Sequence, residues 1–191
     1  MTMNIRRLGP RWASAYRQLM LEAYARHPEA FTSSPEERAA LPLDWWERRL
    51  QEGDQAQERV WGVTQGTDLL GVVGLSCAMR EKVRHKATLF GLYVPDRHRR
   101  LGLAKRLLRE LLAQAARQAE LRVVQLTVTQ GNHAALALYE RAGFTVFGNE
   151  PLAVAMGDTF LAKLHLWCDL ESLRRGSHSL TLARGDGNCL R

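Results

Sequence analysis

Three short apolar runs follow one another between Arg59 and Val94 with no space for a helix among them, and this spacing limits the possible folds more than any other feature. RVWGVT, DLLGVVGLSC and ATLFGLYV are rich in valine, leucine and aromatic residues, and are separated only by QGTD and the charged MREKVRHK. Runs of this length bounded by turn residues read as strands. Connections so short join antiparallel neighbours, most simply as a meander, because a parallel pair needs a crossover of about a dozen residues.

A crossover follows at once. Leu101, Leu103, Leu107, Leu108, Leu111, Leu112 and Ala115 recur at helical spacing. VVQLTVT (123–129) then carries no charge, as a central buried strand would. Asn132 reads as an N-cap, HAALALYERA as a short helix, and Gly143 as its C-terminal cap. FTVFG and FLAKLHLWCDL are two further strands. Ahead of the meander, NIRRL reads as an edge strand, and Trp12, Tyr16, Leu19, Met20, Ala23 and Tyr24 mark a helix ending at His27-Pro28. Ser34-Pro35 favours a helix start after a loop, and Pro42 and Asp44 begin another short helix that Gly53 ends.

The order β-α-α-β-β-β-α-β-α-β-β describes one α/β (α+β) domain. It has a central mixed, twisted sheet of about six or seven strands and about four flanking helices. It is not a repeated βαβ series, which argues against a doubly wound dinucleotide fold. The domain is expected over residues 1–171. Residues 172–191, with three glycines after Arg175 and excess positive charge, read as a flexible basic tail.

A length of 191 residues with 46% apolar and 25% charged residues suits a globular domain with a real core. No apolar run approaches the roughly 18 residues that span a bilayer, and MTMNIRRL has no apolar stretch behind it to make a signal peptide. Cys77, Cys168 and Cys189 form no CxxC and cannot all pair, so they read as idle thiols in a reducing cytoplasm. The six histidines are scattered, none beside a cysteine pair, and no metal site is expected.

The net charge of +7 suits an anionic partner, and its total does not distinguish a polyphosphate cofactor from RNA, DNA or an acidic protein. RHRRLGLAKRLL, Arg97 to Leu108, packs five positive charges and one glycine into the junction between strand and helix. A helix starting near Gly102 leaves several backbone N–H groups of residues 100–105 without intrahelical partners, and its dipole favours an anion there. Gly102 and Ala104 keep side chains clear, while Arg99, Arg100 and Lys105 add charge. The pattern describes a pyrophosphate cradle that lacks the GxxxxGK[ST] of a nucleotide triphosphatase. A solvated basic helix face is the alternative from spacing alone.

The segment from Leu89 to Leu112 resembles the acyl-CoA-binding segment of the GNAT superfamily of N-acetyltransferases, an apolar strand, a Q/R-x-x-G-x-G/A loop and a long helix. Here the loop stands as Arg99-Arg100-Leu101-Gly102-Leu103-Ala104. The second hallmark, N-x-x-A-x-x-L-Y-E-x-x-G-F, is present whole as Asn132, Ala135, Leu138, Tyr139, Glu140, Gly143 and Phe144. The element order also matches that fold from about residue 4 to 170.

The resemblance implies a GNAT-like domain that moves an acetyl group from acetyl-CoA to a primary amine. Backbone groups of Leu92, Tyr93 and Val94 would pair with the pantetheine arm as an added strand. Amides of Arg100, Leu101, Gly102, Leu103, Ala104 and Lys105, with Arg99 nearby, would hold the pyrophosphate, and Asn132 and Ala135 would contact the cofactor. The Val94 N–H would stabilise the oxyanion. Tyr139 would protonate the leaving sulfur.

Many relatives carry a base as a glutamate on or near the third meander strand, but ATLFGLYV has no acid and Thr88 cannot serve. Glu81, Glu150, His85 and bulk water stand as candidates. In this fold the first helices and the C-terminal hairpin build the acceptor site, here Phe31 to Trp46 and Glu150 to Phe160. Phe31, Trp45 and Trp46 could line it, though the two adjacent tryptophans cannot both face one way. Glu36 and Glu37 could draw in a cationic amine, or simply sit at a capped helix start. The acceptor is a small-molecule amine or a protein amine, and the protein is expected to be a cytoplasmic monomer or homodimer.

Two other classes compete. A CoA-binding sensor that has lost catalysis is compatible with the missing acid. A nucleic-acid module would need exposed stacking aromatics or a helix-turn-helix pair. Phe90 and Tyr93 are expected one to each face of their strand, and no recognition pair follows.

Overall fold

The computed structural model describes residues 2–53 and 56–175. The strands are β1 (Asn4–Arg7), β2 (Glu58–Gln65), β3 (Asp68–Cys77), β4 (Lys86–Tyr93), β5 (Val123–Thr129), β6 (Thr145–Met156) and β7 (Thr159–Asp169). The helices are α1 (Ala13–Arg26), α2 (Pro35–Ala39), α3 (Leu43–Arg48), α4 (Leu103–Arg117) and α5 (His133–Glu140). The strands and the later helices follow the expected order, but three helices stand ahead of the meander where the order string has two. Proline explains why α2 and α3 stay separate: Pro42 is extended at ψ 161° and cannot continue α2. Ser34 and Glu37 form a reciprocal cap on α2, Ser34 Oγ accepting from the Glu37 N–H at 3.1 Å and Glu37 Oε2 from the Ser34 N–H at 2.9 Å. Glu37 is therefore occupied as a cap.

The strands form one sheet in the order β1-β2-β3-β4-β5-β7-β6. All neighbours are antiparallel except β4 and β5, whose connection is α4. The meander β2-β3-β4 is thus as its short connections require. On one face Leu103, Leu107, Leu108, Leu111, Leu112 and Ala115 of α4 pack on Trp61, Val63, Val73, Leu75, Leu89, Val124 and Leu126. On the other, α1 and α3 enclose Val60, Leu69, Val72 and Tyr93 with Tyr16, Met20 and Trp46.

The leucine period points to Leu101 as part of the helix, but α4 begins at Leu103 and Leu101 is 54% exposed. Leu111→Ala, at a site with 0% exposure, is expected to cost about 2–5 kcal/mol in urea unfolding. Leu101→Ala should stay within about 0.5 kcal/mol.

β6 runs well beyond FTVFG. Its pairing with β7 shifts register between Glu150 and Val154, where Leu152 takes a φ of 54° next to Pro151. A proline is tolerated there because β6 is the sheet's edge. Residues 170–175 are helical, and Arg174 donates to the carbonyls of Ala116, Gln118 and Leu121 at 2.8–2.9 Å, tying this turn to the end of α4. Residues 176–191, the rest of the segment read as a tail, lie outside the described residues.

Burial pushes the Cys77 thiol up, and with the nearby Asp169 carboxylate it pushes Cys168 up to about 11. Among the described residues no helix is long and apolar enough to cross a membrane.

Candidate active site

β4 leaves its parallel partner early. It pairs with β5 only at Lys86–Val123, Ala87–Val124 and Thr88–Gln125. Its other edge stays on β3 as far as Tyr93, and β5 is paired with β7 along its whole length. From Leu89 onward the edge of β4 that faces β5 has no ladder partner among the described residues, so its backbone groups are open to an extended ligand. The β3–β4 register slips between Val72–Tyr93 and Gly74–Phe90, which puts an extra residue in β4 around Gly91. Phe90 and Tyr93 consequently lie on the same face, against the α1 side, and not one to each face as simple alternation predicts. Phe90 lies over Gly74, where a Cβ would stand 2.3 Å from its ring.

Beyond β4 the chain makes a turn at Asp96–His98 and enters α4 through two left-handed residues, Arg100 (φ 64°) and Gly102 (φ 69°). The Arg106 N–H donates to the Gly102 carbonyl at 3.0 Å, so the amides of Leu103, Ala104 and Lys105 have no intrahelical acceptor. Among the described residues no side chain caps this end, and a Cβ added to Gly102 would meet nothing within 4 Å. Glycine is needed for the backbone conformation, and its bareness leaves the space in front of those amides clear.

The basic cluster divides into two sets. Arg97 pairs with Glu22 of α1 at 2.8 Å, and Arg99 with Asp96 at 2.8 Å and His27 at 3.0 Å. These two fasten the loop to the end of α1. Arg100 and Lys105 are exposed and have no ion pair among the described residues, which leaves them available to an anion.

Asn132 caps α5, its Oδ1 accepting from the Ala135 N–H at 3.1 Å. Tyr139 is 8% exposed, within the core on the α4 side, and its ring meets Phe144 edge-on at 5.8 Å. Its hydroxyl has no hydrogen-bond partner among the described residues, and burial raises its pKa, so it keeps its proton through the neutral range.

The base candidates are not brought together. Glu81 and His85 lie in the connection before β4, at the end where β4 and β5 are still paired; the His85 carbonyl accepts from Arg122 and Val123. Glu150 is on β6, 2.8 Å from His165 Nε2.

Among the acceptor candidates, Trp46 is 1% exposed and packs edge-on against Tyr16 at 5.6 Å, so it belongs to the core. Trp45 is half-buried between Arg38 (4.9 Å) and Arg49 (4.6 Å), and Arg49 also covers Phe90 at 4.7 Å. Phe31 meets Tyr24 edge-on at 4.6 Å. Sequence reasoning missed Arg38, Arg49 and Phe90 beside Trp45, and His165 beside Glu150. For His165 a signal existed, since Lys163, His165 and Trp167 alternate with Leu164, Leu166 and Cys168.

The model of the acetyltransferase (GNAT) family matches residues 15–144. No curated protein matches the sequence. Among solved structures, the acetyltransferase of the GNAT family from Streptococcus pneumoniae superposes with a TM-score of 0.78 at 23% identity, covering 88% of this chain and 99% of that one. yncA of Salmonella typhimurium, solved with its cofactor acetyl-CoA, gives 0.73 at 20% identity over 89% and 95%. The ribosomal-protein-alanine N-acetyltransferase from Brucella melitensis gives 0.71 at 22% identity over 87% and 99%. At such identities these three speak for the fold. With the family model spanning the meander, the α4 entry and the Asn132–Phe144 motif, the chain belongs to the GNAT acetyltransferase family.

Proposed function

We propose that the chain is an N-acyltransferase that moves an acetyl group from acetyl-CoA to a primary amine by direct attack. The observation that carries this reading is the unpaired edge of β4 leading straight to the uncapped, glycine-entered start of α4. An extended pantetheine arm and a pyrophosphate need those two features in that order. The bare space at Gly102 and the unpaired Arg100 and Lys105 fit the group.

In this reading the backbone of Leu92, Tyr93 and Val94 holds the arm. The amides from Leu101 to Lys105 hold the pyrophosphate, with Arg100 and Lys105 beside it. Arg99 acts from its ion pair with Asp96 to keep the loop in shape. Asn132 and Ala135 border the arm from the start of α5. The bound thioester supplies an activated acetyl carbon. The Val94 N–H donates to the carbonyl oxygen as it gains charge, and Tyr139 gives its proton to the departing sulfur. Phe31 and Trp45 form the wall toward the acceptor. The catalytic domain comprises residues 1–171 with the helical turn to Arg175 that closes on α4, and it works in the cytoplasm.

Titration calorimetry with acetyl-CoA tests the cofactor assignment. Saturable one-to-one binding is expected, weakening with added salt. Arg100→Ala and Lys105→Ala should each weaken it by about two- to fivefold, the worth of one exposed charge pair. No binding at millimolar acetyl-CoA would overturn the assignment.

A further inference from the structure

Among the described residues, part of the sheet on the α1 side has no helix over it. On β5, Val124, Leu126 and Val128 point into the α4 core, so Gln125, Thr127 and Thr129 face the other way. On β7, Leu164, Leu166 and Cys168 point into that core as well, leaving Lys163, His165 and Trp167 on the opposite face. The loop after α1 reaches only as far as Thr129, whose Oγ1 donates to the Glu29 carbonyl at 2.7 Å. Thr127 and Trp167 remain exposed.

On this floor His165 is held in one orientation. Its Nε2 lies 2.8 Å from Glu150 Oε2, and Phe147 meets the ring edge-on at 5.9 Å. A carboxylate on one ring nitrogen fixes the tautomer that carries a proton there and leaves the other nitrogen, Nδ1, as an acceptor. Lys163, in register with Glu150 on β6, is 6% exposed and forms no salt bridge among the described residues; burial lowers its pKa. Glu150 thus has His165 as its hydrogen-bond partner.

Register fixes where the pair stands relative to the open edge of β4. His165 is directly opposite Thr127, and Thr127 lies two residues beyond Gln125, the last β5 residue paired with β4. Adjacent strands are about 4.8 Å apart. His165 is therefore one strand away from the gap, on the accessible face, with the Thr127 hydroxyl between. Tyr139 belongs to the opposite, α4 face.

We propose that His165, oriented by Glu150, is the general base of the transfer, taking the proton of the attacking amine through one water that lies against the Thr127 hydroxyl. The inference rests on the acyltransferase reading above. As the amine nitrogen bonds to the acetyl carbon, its proton passes to the water while that water gives one to Nδ1. The carbon–sulfur bond breaks with its electron pair going to sulfur, which takes the Tyr139 proton. Imidazolium and tyrosinate return to their starting forms by exchange with solvent, and the net products are amide and thiol. Base and acid approach the reacting carbon from opposite faces of the sheet, so they do not exchange their protons with each other.

The competing role is mechanical, with His165 and Glu150 acting as a staple between β6 and β7. Thiol release from acetyl-CoA with a primary amine separates the two roles. His165→Ala should lower kcat by about 10²-fold or more, and added imidazole should restore at least about a tenth of the loss. Acetyl-CoA affinity by calorimetry should stay unchanged. His165→Gln, whose amide can still donate to Glu150, should keep the melting temperature and still lose turnover, and Glu150→Gln should lose about tenfold. A folded His165→Gln that binds acetyl-CoA and turns over within about threefold of the parent would overturn the proposal. So would a loss in His165→Ala that imidazole does not relieve. If the unmodified protein binds acetyl-CoA but releases no thiol with any amine, the acyltransferase reading fails first.

Discussion

Tyr139→Phe is expected to lower kcat for acetyl transfer by about 10²–10⁴-fold while leaving acetyl-CoA affinity unchanged. The substitution is clean for a structural reason. Tyr139 fits into the core through its ring, edge-on to Phe144, and its hydroxyl has no partner among the described residues. Removing that oxygen therefore breaks no hydrogen bond of the fold, and the thermal midpoint should stay put or rise slightly. What disappears is the proton. Burial raises the Tyr139 pKa, so the group enters each turnover protonated. A thiolate leaving without a donor must take its proton from solvent. Full turnover in Tyr139→Phe would remove Tyr139 from the chemistry and leave it as a packing residue.

Gly102→Val should act on binding instead. At φ 69° a β-branched residue is strained by about 1–2 kcal/mol, and its side chain projects into the clear space before the amides of Leu103, Ala104 and Lys105. Acetyl-CoA affinity is expected to fall by at least about tenfold, since strain and obstruction act together. Gly102→Ala, with the same backbone demand and less bulk, should fall between. Because no atom of the described residues beyond the chain neighbours lies within 4 Å of the added Cβ, the protein has the room to fold with either residue. Calorimetry on both variants reads the order, and parental affinity in Gly102→Val would mean that the pyrophosphate does not sit there.

The basic stretch shows how far a sequence of this kind can be read. The position of α4 follows from its leucine spacing, and the free amides follow from the helix start. Which arginines are spoken for does not follow, because Glu22 and His27 lie more than seventy residues away and reach Arg97 and Arg99 only through the fold. The same distance effect hides the gap. Nothing in ATLFGLYV or VVQLTVT says that pairing stops at Thr88 and Gln125. Gly91 within a strand is a legible hint of a bulge, and missing it put Phe90 and Tyr93 on opposite faces.

The start of β6 was legible as FTVFG, but its far half escaped because Pro151 and the left-handed Leu152 interrupt alternation, and only the edge position lets the strand continue past them. The pair Trp45-Trp46 was half legible. Adjacent helical residues must diverge, but only the packing of α3 on α1 shows that Trp46 is the one turned inward.

The central claim is that this chain transfers an acetyl group to an amine, and the most direct measurement is acetyl-CoA-dependent thiol release across a panel of small primary amines and amine-bearing peptides, with the acetylated product identified by mass spectrometry. The account predicts that at least one amine gives stoichiometric thiol and acetyl-amide, with turnover abolished or nearly so in Tyr139→Phe. Tight one-to-one acetyl-CoA binding with no acetyl-amide from any amine would contradict it, and would make the chain a cofactor-binding domain without the chemistry.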